Sequence, residues 1–81
     1  MKALVQVGLK STVLDPQGKT IQAALAKLGY GEIEDLRQGK LFALRLRPGL
    51  DPEAARLQVE RVAREVLTNP VIEDFSIRWE D

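Results

Sequence analysis

Neither cysteine nor histidine occurs in the 81 residues. Their absence removes disulfides, zinc sites of the usual kind, a thiol nucleophile and the side chain most often used as a general base. Charge of one sign is missing too: Lys plus Arg and Asp plus Glu both count 12, for a formal net charge of zero. A balanced chain has no diffuse attraction to nucleic acid or to an anionic membrane, so neither is expected as a partner. No apolar run approaches the ~20 residues of a membrane span, and Met1-Lys2-Ala3-Leu4-Val5-Gln6 lacks the apolar segment of a signal peptide. The expected location is the cytoplasm.

A chain of this length is expected to form a single domain over residues 1–81, burying roughly 60 to 65% of the surface its unfolded form exposes. The core is thin and nothing covalent staples it, so self-association is expected on size alone.

What the chain does contain is patterned. Ala3, Val5, Val7 and Leu9 alternate with Leu4, Gln6, Gly8 and Lys10, the period of a strand with one buried face. Leu14-Asp15-Pro16 then opens a helix, with the Asp15 carboxylate capping the free amides of Gln17 or Gly18 and Pro16 at the first helical position. Ile21, Ala24, Leu25 and Leu28 make the apolar stripe of that helix, and Gly29 supplies its left-handed stop, giving a helix from Pro16 to Leu28. Ile33–Arg37 and Lys40–Arg47 read as two strands joined by a tight turn at Gln38-Gly39, with Phe42, Leu44 and Leu46 facing the core. Leu50-Asp51-Pro52 repeats the cap, and Ala55, Val59, Val62, Ala63 and Val66 line the second helix up to Asn69-Pro70. A last strand places Phe75, Ile77 and Trp79 on one face.

The halves echo one another. Leu-Asp-Pro recurs after 36 residues and Ile-Glu-Asp after 39. Two strand–helix–strand units give β-α-β-β-α-β, an α+β ferredoxin-like fold whose antiparallel sheet carries both helices on one face.

Several residues are candidates for contact. Gln17, Gly18 and Lys19 sit where a helix start favours anions, but the Asp15 carboxylate competes for the same amides and the repeated glycines of a phosphate loop are missing. Gly18 in a first helical turn, about 1 kcal/mol worse than alanine, suits close approach of a partner's backbone. Arg37 and Lys40 flank the expected hairpin turn, either as a solvated tip or as a basic finger for an acidic partner or nucleotide. Leu4, Leu41 and Ala43 fall on the sheet face opposite the helices, and Leu57 lies among charged residues of the second helix; together they suggest a contact with another subunit. Catalytic, cofactor-binding and metal-binding residues are not expected in this chain. An RNA-recognition module would need exposed aromatics on its central strands, whereas Phe42, Phe75 and Trp79 fall on the core face. An acylphosphatase-like enzyme would need an arginine in the loop after the first strand, which Lys10-Ser11-Thr12-Val13-Leu14 lacks.

Five stretches carry a resemblance: Val7-Gly8-Leu9-Lys10, Val13-Leu14-Asp15-Pro16-Gln17-Gly18-Lys19, Leu28-Gly29-Tyr30, Arg37-Gln38-Gly39-Lys40 and Asn69-Pro70-Val71-Ile72-Glu73-Asp74-Phe75. In that order and spacing they resemble the PurS family, small subunits of phosphoribosylformylglycinamidine synthase. The resemblance implies a non-catalytic subunit of a carbon–nitrogen ligase of de novo purine synthesis. It implies a homodimer or higher homo-oligomer that joins a large synthetase subunit (PurL) to a glutaminase subunit (PurQ), so that ammonia from glutamine reaches formylglycinamide ribonucleotide. ATP and magnesium are then used by the complex and not bound by this chain. The competing expectation is a free-standing ferredoxin-like regulatory domain that binds a small molecule.

Overall fold

The computed structural model describes residues 1–80. Three strands and two helices follow in the order β1 (Lys2–Leu9), α1 (Pro16–Lys27), β2 (Gly39–Arg45), α2 (Pro52–Val62) and β3 (Glu73–Glu80), and α2 continues into a π-helical turn over Ala63–Leu67. The strands form one antiparallel sheet in the order β2-β1-β3. Register sets Val5 between Phe42 and Ile77, and Ala3 between Leu44 and Trp79. Paired residues share a face, so this row of apolar side chains is the core side of the sheet.

Among the described residues, α2 and its extension are the helical segments that pack on that side. Val59 and Ala63 join Ala3, Val5 and Val7 in the buried core, while Phe42, Leu44, Leu46, Phe75, Ile77 and Trp79 pack around it without being fully covered. The largest fully buried side chains are three valines, Val5, Val7 and Val59. Each contributes on the order of 1.5 to 3 kcal/mol.

The α2 stripe departs from expectation at its end. The spacing predicts Val66 on the buried face, but Val66 is exposed, while Leu67 is partly buried and Thr68 is buried. The π turn explains the change, because its wider winding moves the inward position from three residues beyond Ala63 to four or five beyond it.

Helix α1 is capped as its sequence requires. Gly18 N–H donates to Asp15 Oδ1 at 3.0 Å. At the other end the Tyr30 amide donates to the Leu25 carbonyl and the Gly29 amide to that of Ala26, a Schellman closure made possible by φ +98° at Gly29. Its apolar stripe, however, contributes nothing to the core: Gly18 is the buried residue of this helix, and Leu28 is 73% exposed.

The α+β class and the chain order stand, with one difference at the second β position. Residues 33–38 form no ladder, and Gln38-Gly39 is not a hairpin turn, because Gly39 is already the first residue of β2, opposite Gly8. The polar groups of residues 33–38 turn instead to α1 and the loop before it: the Glu34 carbonyl accepts from Gln22 Nε2 at 2.6 Å, and the Gln38 amide donates to Asp15. Residues 14–38 thereby make an arm, α1 with the returning chain fastened along it, whose apolar stripe stays out of the sheet's core.

Candidate functional site

Asp15 is the knot at the base of the arm. It is 4% exposed, and its carboxylate accepts from two amides at once, Gly18 N–H through Oδ1 at 3.0 Å and Gln38 N–H through Oδ2 at 2.7 Å. The Gln38 and Gly18 amides hold its pKa below the ordinary carboxylate value; burial opposes them, and the Arg37 charge and the Gln17 amide assist. One side chain therefore caps the helix and fastens the returning chain to it.

Gly18 is required by the same packing. A Cβ there would lie 2.6 Å from both the Leu36 carbonyl oxygen and Asp15 Oδ2. The backbone that comes close within the chain is that of Leu36. Gly39 is comparable, since a Cβ would lie 2.7 Å from the Val7 carbonyl oxygen.

Arg37 and Lys40 are not cross-strand neighbours at a hairpin tip. Arg37 Nη2 donates to the carbonyls of Lys10 and Val13, each at 2.9 Å, and so stitches the β1–α1 loop to the end of the arm. Lys40, opposite Val7, reaches Glu73 at 3.8 Å, and Lys10 pairs with Asp74 at 3.2 Å. Gln38 Nε2 donates to Gln17 Oε1 at 2.6 Å, and Lys19 stands 3.9 Å from Asp35. The polar candidates Gln17, Gly18, Arg37 and Lys40, with Lys19 at the margin, thus converge on one region and are bonded within the chain. The Gly18 amide is committed to Asp15, which leaves that helix start no free welcome for a phosphate.

The apolar candidates separate. Leu41 is 64% exposed on the outer sheet face, and Leu57 is similarly exposed on α2. Leu4 is only 9% exposed; it lies on the central strand between Ala43 and Arg78 and presents little of itself to a partner. Larger than any of these is a surface not singled out in the sequence: Leu14, Ile21, Leu28, Tyr30 and Ile33, all exposed along the arm. The signal is in the sequence, since the stripe Ile21-Ala24-Leu25-Leu28 is apolar at helical spacing, but spacing alone does not say what covers that face. The Asp15–Gln38 tether, joining residues 23 apart, left no local signature.

The described residues contain no group of three or more acidic, His or Cys side chains placed to hold a metal ion, and no helix long and apolar enough to cross a membrane.

Against known proteins, the family model PurS, described as phosphoribosylformylglycinamidine (FGAM) synthase, matches residues 2–81. The PurS subunit of that synthase from Mycobacterium leprae is 40% identical over 79 residues, covering 98% of this chain and 95% of that one. The Bacillus subtilis subunit is 39% identical over 80 residues, covering 99% and 93%. Among solved structures, Bacillus subtilis PurS superposes with a TM-score of 0.82 at 37% identity, covering 99% of this chain and 98% of that chain. A chain of the structure of PurLQS from Thermotoga maritima superposes with a TM-score of 0.86 at 32% identity, covering 95% and 93%.

Proposed function

The chain belongs to the PurS family, and we propose that residues 1–81 act as one unit, the small non-catalytic assembly subunit of a phosphoribosylformylglycinamidine synthase. In this reading it bridges a large synthetase subunit, which handles ATP, magnesium and formylglycinamide ribonucleotide, and a glutaminase subunit that releases ammonia. It does so in the cytoplasm, as a homodimer. The observation that carries the reading is the family match along residues 2–81.

The chemistry of the surface supports it. Asp15, Arg37 and Gln38 are engaged in holding the arm to the loop that precedes it, while apolar side chains stand open on the arm, at Leu41 and at Leu57. Exposed apolar groups on more than one face suit a subunit that meets more than one neighbour. We assign Leu41 on the outer sheet face and Leu57 on α2 to contacts with the larger subunits, with Gln17 and Lys19 at the edge of the arm as polar additions. Gly18, Arg37 and Lys40 act on those contacts indirectly, by fixing the arm's direction.

The test is reconstitution of the large subunit and the glutaminase with and without this chain. Glutamine-dependent amidation is expected only when the chain is present; equal activity without it would overturn the reading. The regulatory-domain alternative is not favoured, and calorimetric binding of an amino acid or nucleotide by the isolated chain would revive it.

A further inference from the structure

The sheet face turned away from α2 is uneven in charge. Register sets Gln6 between Leu41 and Ser76, Leu4 between Ala43 and Arg78, and Lys2 between Arg45 and Glu80 on that face. At one end Lys10 and Asp74 pair at 3.2 Å and cancel. At the other end Lys2, Arg45 and Arg78 are all exposed, with Glu80 as the one carboxylate beside them. Glu80 reaches Arg78 at 3.8 Å, and the ion pairs among the described residues include neither Lys2 nor Arg45. Those two stand directly opposite one another on β1 and β2, and like charges so placed destabilise an antiparallel pair. The chain as a whole is neutral, so this surplus is local and does not follow from a basic composition. Next to it lies an apolar depression of about 280 Å³, where buried Leu4 is flanked by exposed Leu41 and Arg78.

Resting on the assembly reading above, we propose that this corner of the outer sheet face docks an acidic segment of one larger subunit. The segment sets carboxylates against Lys2, Arg45 and Arg78, and an apolar side chain against Leu4 and Leu41. Charge complementarity selects it. Carboxylates supplied from outside relieve the Lys2–Arg45 repulsion, and the apolar neighbours exclude water and strengthen the attraction. Phosphates would be drawn to the same cations, but bases would find no aromatic ring to stack on, since Phe42, Phe75 and Trp79 pack against the core on the other face. The occupant is therefore a protein segment and not a nucleic acid.

Arg45→Glu separates docking from folding. It puts opposite charges face to face with Lys2, so the isolated chain should lose no thermal stability, whereas assembly should weaken. The chain is titrated into the large subunit and the glutaminase, with glutamine-dependent amidation as the readout. R45E should raise the half-saturating concentration roughly tenfold at low ionic strength, reach the same plateau, and flatten the rise that added salt causes with the wild type. Lys27→Glu, the same charge change at the exposed end of α1, should match the wild type. Carbodiimide coupling in the assembled complex should join Lys2 to a carboxylate of one larger subunit. A wild-type titration by R45E would overturn the docking site while leaving the assembly reading in place. So would Lys2 coupling confined to copies of this chain, or binding of a single-stranded oligonucleotide that R45E abolishes. Full amidation with the chain left out would overturn the assembly reading itself.

Discussion

The Gln38 amide donates to Asp15 Oδ2 at 2.7 Å across 23 residues of sequence, and this one bond converts a helix cap into the hinge pin of the arm. Because the carboxylate also accepts from Gly18, its charge is stabilised in the folded chain, and its pKa there lies below its unfolded value. The contribution is therefore complete above the unfolded value of about 3.9 and is lost as pH falls from there through the lower folded value. Thermal midpoints of the wild type should drop over that acid range more steeply than those of Asp15→Asn, which should be less stable near neutrality and flatter in acid. Parallel curves would show that Asp15 is not the titrating group.

Gly18→Leu should destabilise the chain itself. A Cβ 2.6 Å from the Leu36 carbonyl can be relieved only by moving backbone, and overpacking of this kind costs about 1 to 3 kcal/mol. In a domain of this size that is a fall of roughly 4 °C or more in Tm. A Tm equal to wild type would show that the arm lifts away freely.

Arg37→Met should loosen the β1–α1 loop. Both bonds to the Lys10 and Val13 carbonyls come from one nitrogen, Arg37 Nη2, and a methionine side chain carries no donor to replace it. Faster amide exchange across residues 10–15 and 36–38, with exchange in β1 unchanged, is the expected pattern. Uniform acceleration would point to global destabilisation instead.

The π turn makes a paired forecast. Val59→Ala removes methyl groups from the centre of the core and should cost on the order of 2 kcal/mol. Val66→Ala, on the exposed outer side of the turn, should stay within about 0.5 kcal/mol in the isolated chain. Equal losses in urea unfolding would mean that α2 keeps its α-helical register to the end.

Much of this fold was readable from residue patterns. The β1 alternation, both Asp-Pro caps, the Gly29 stop and the core faces of β2 and β3 all follow local rules and appear where those rules put them. The misreadings share one cause. Glycine at position 39 satisfies a hairpin turn and a crowded strand start equally well, and only the Val7 carbonyl opposite it decides between them. Likewise Arg37 reads as a hairpin-tip charge until Lys10 and Val13 are brought beneath it. The α1 stripe was legible as apolar, but helical spacing does not say whether its own sheet covers it. As for the candidate contacts, Leu41 and Leu57 were visible as apolar residues among polar ones, whereas the burial of Leu4 depends on its central place in the sheet.

The central claim is that this chain assembles other subunits and does no chemistry itself. Its most direct measurement is amidation of formylglycinamide ribonucleotide by the reconstituted large subunit and glutaminase, with glutamine and separately with ammonium as nitrogen source, while this chain is titrated in. Glutamine-dependent activity should rise from near zero and saturate at a fixed ratio to the other subunits, with L41E and L57E shifting the titration to higher concentration. Full glutamine-dependent activity with the chain left out would contradict the claim.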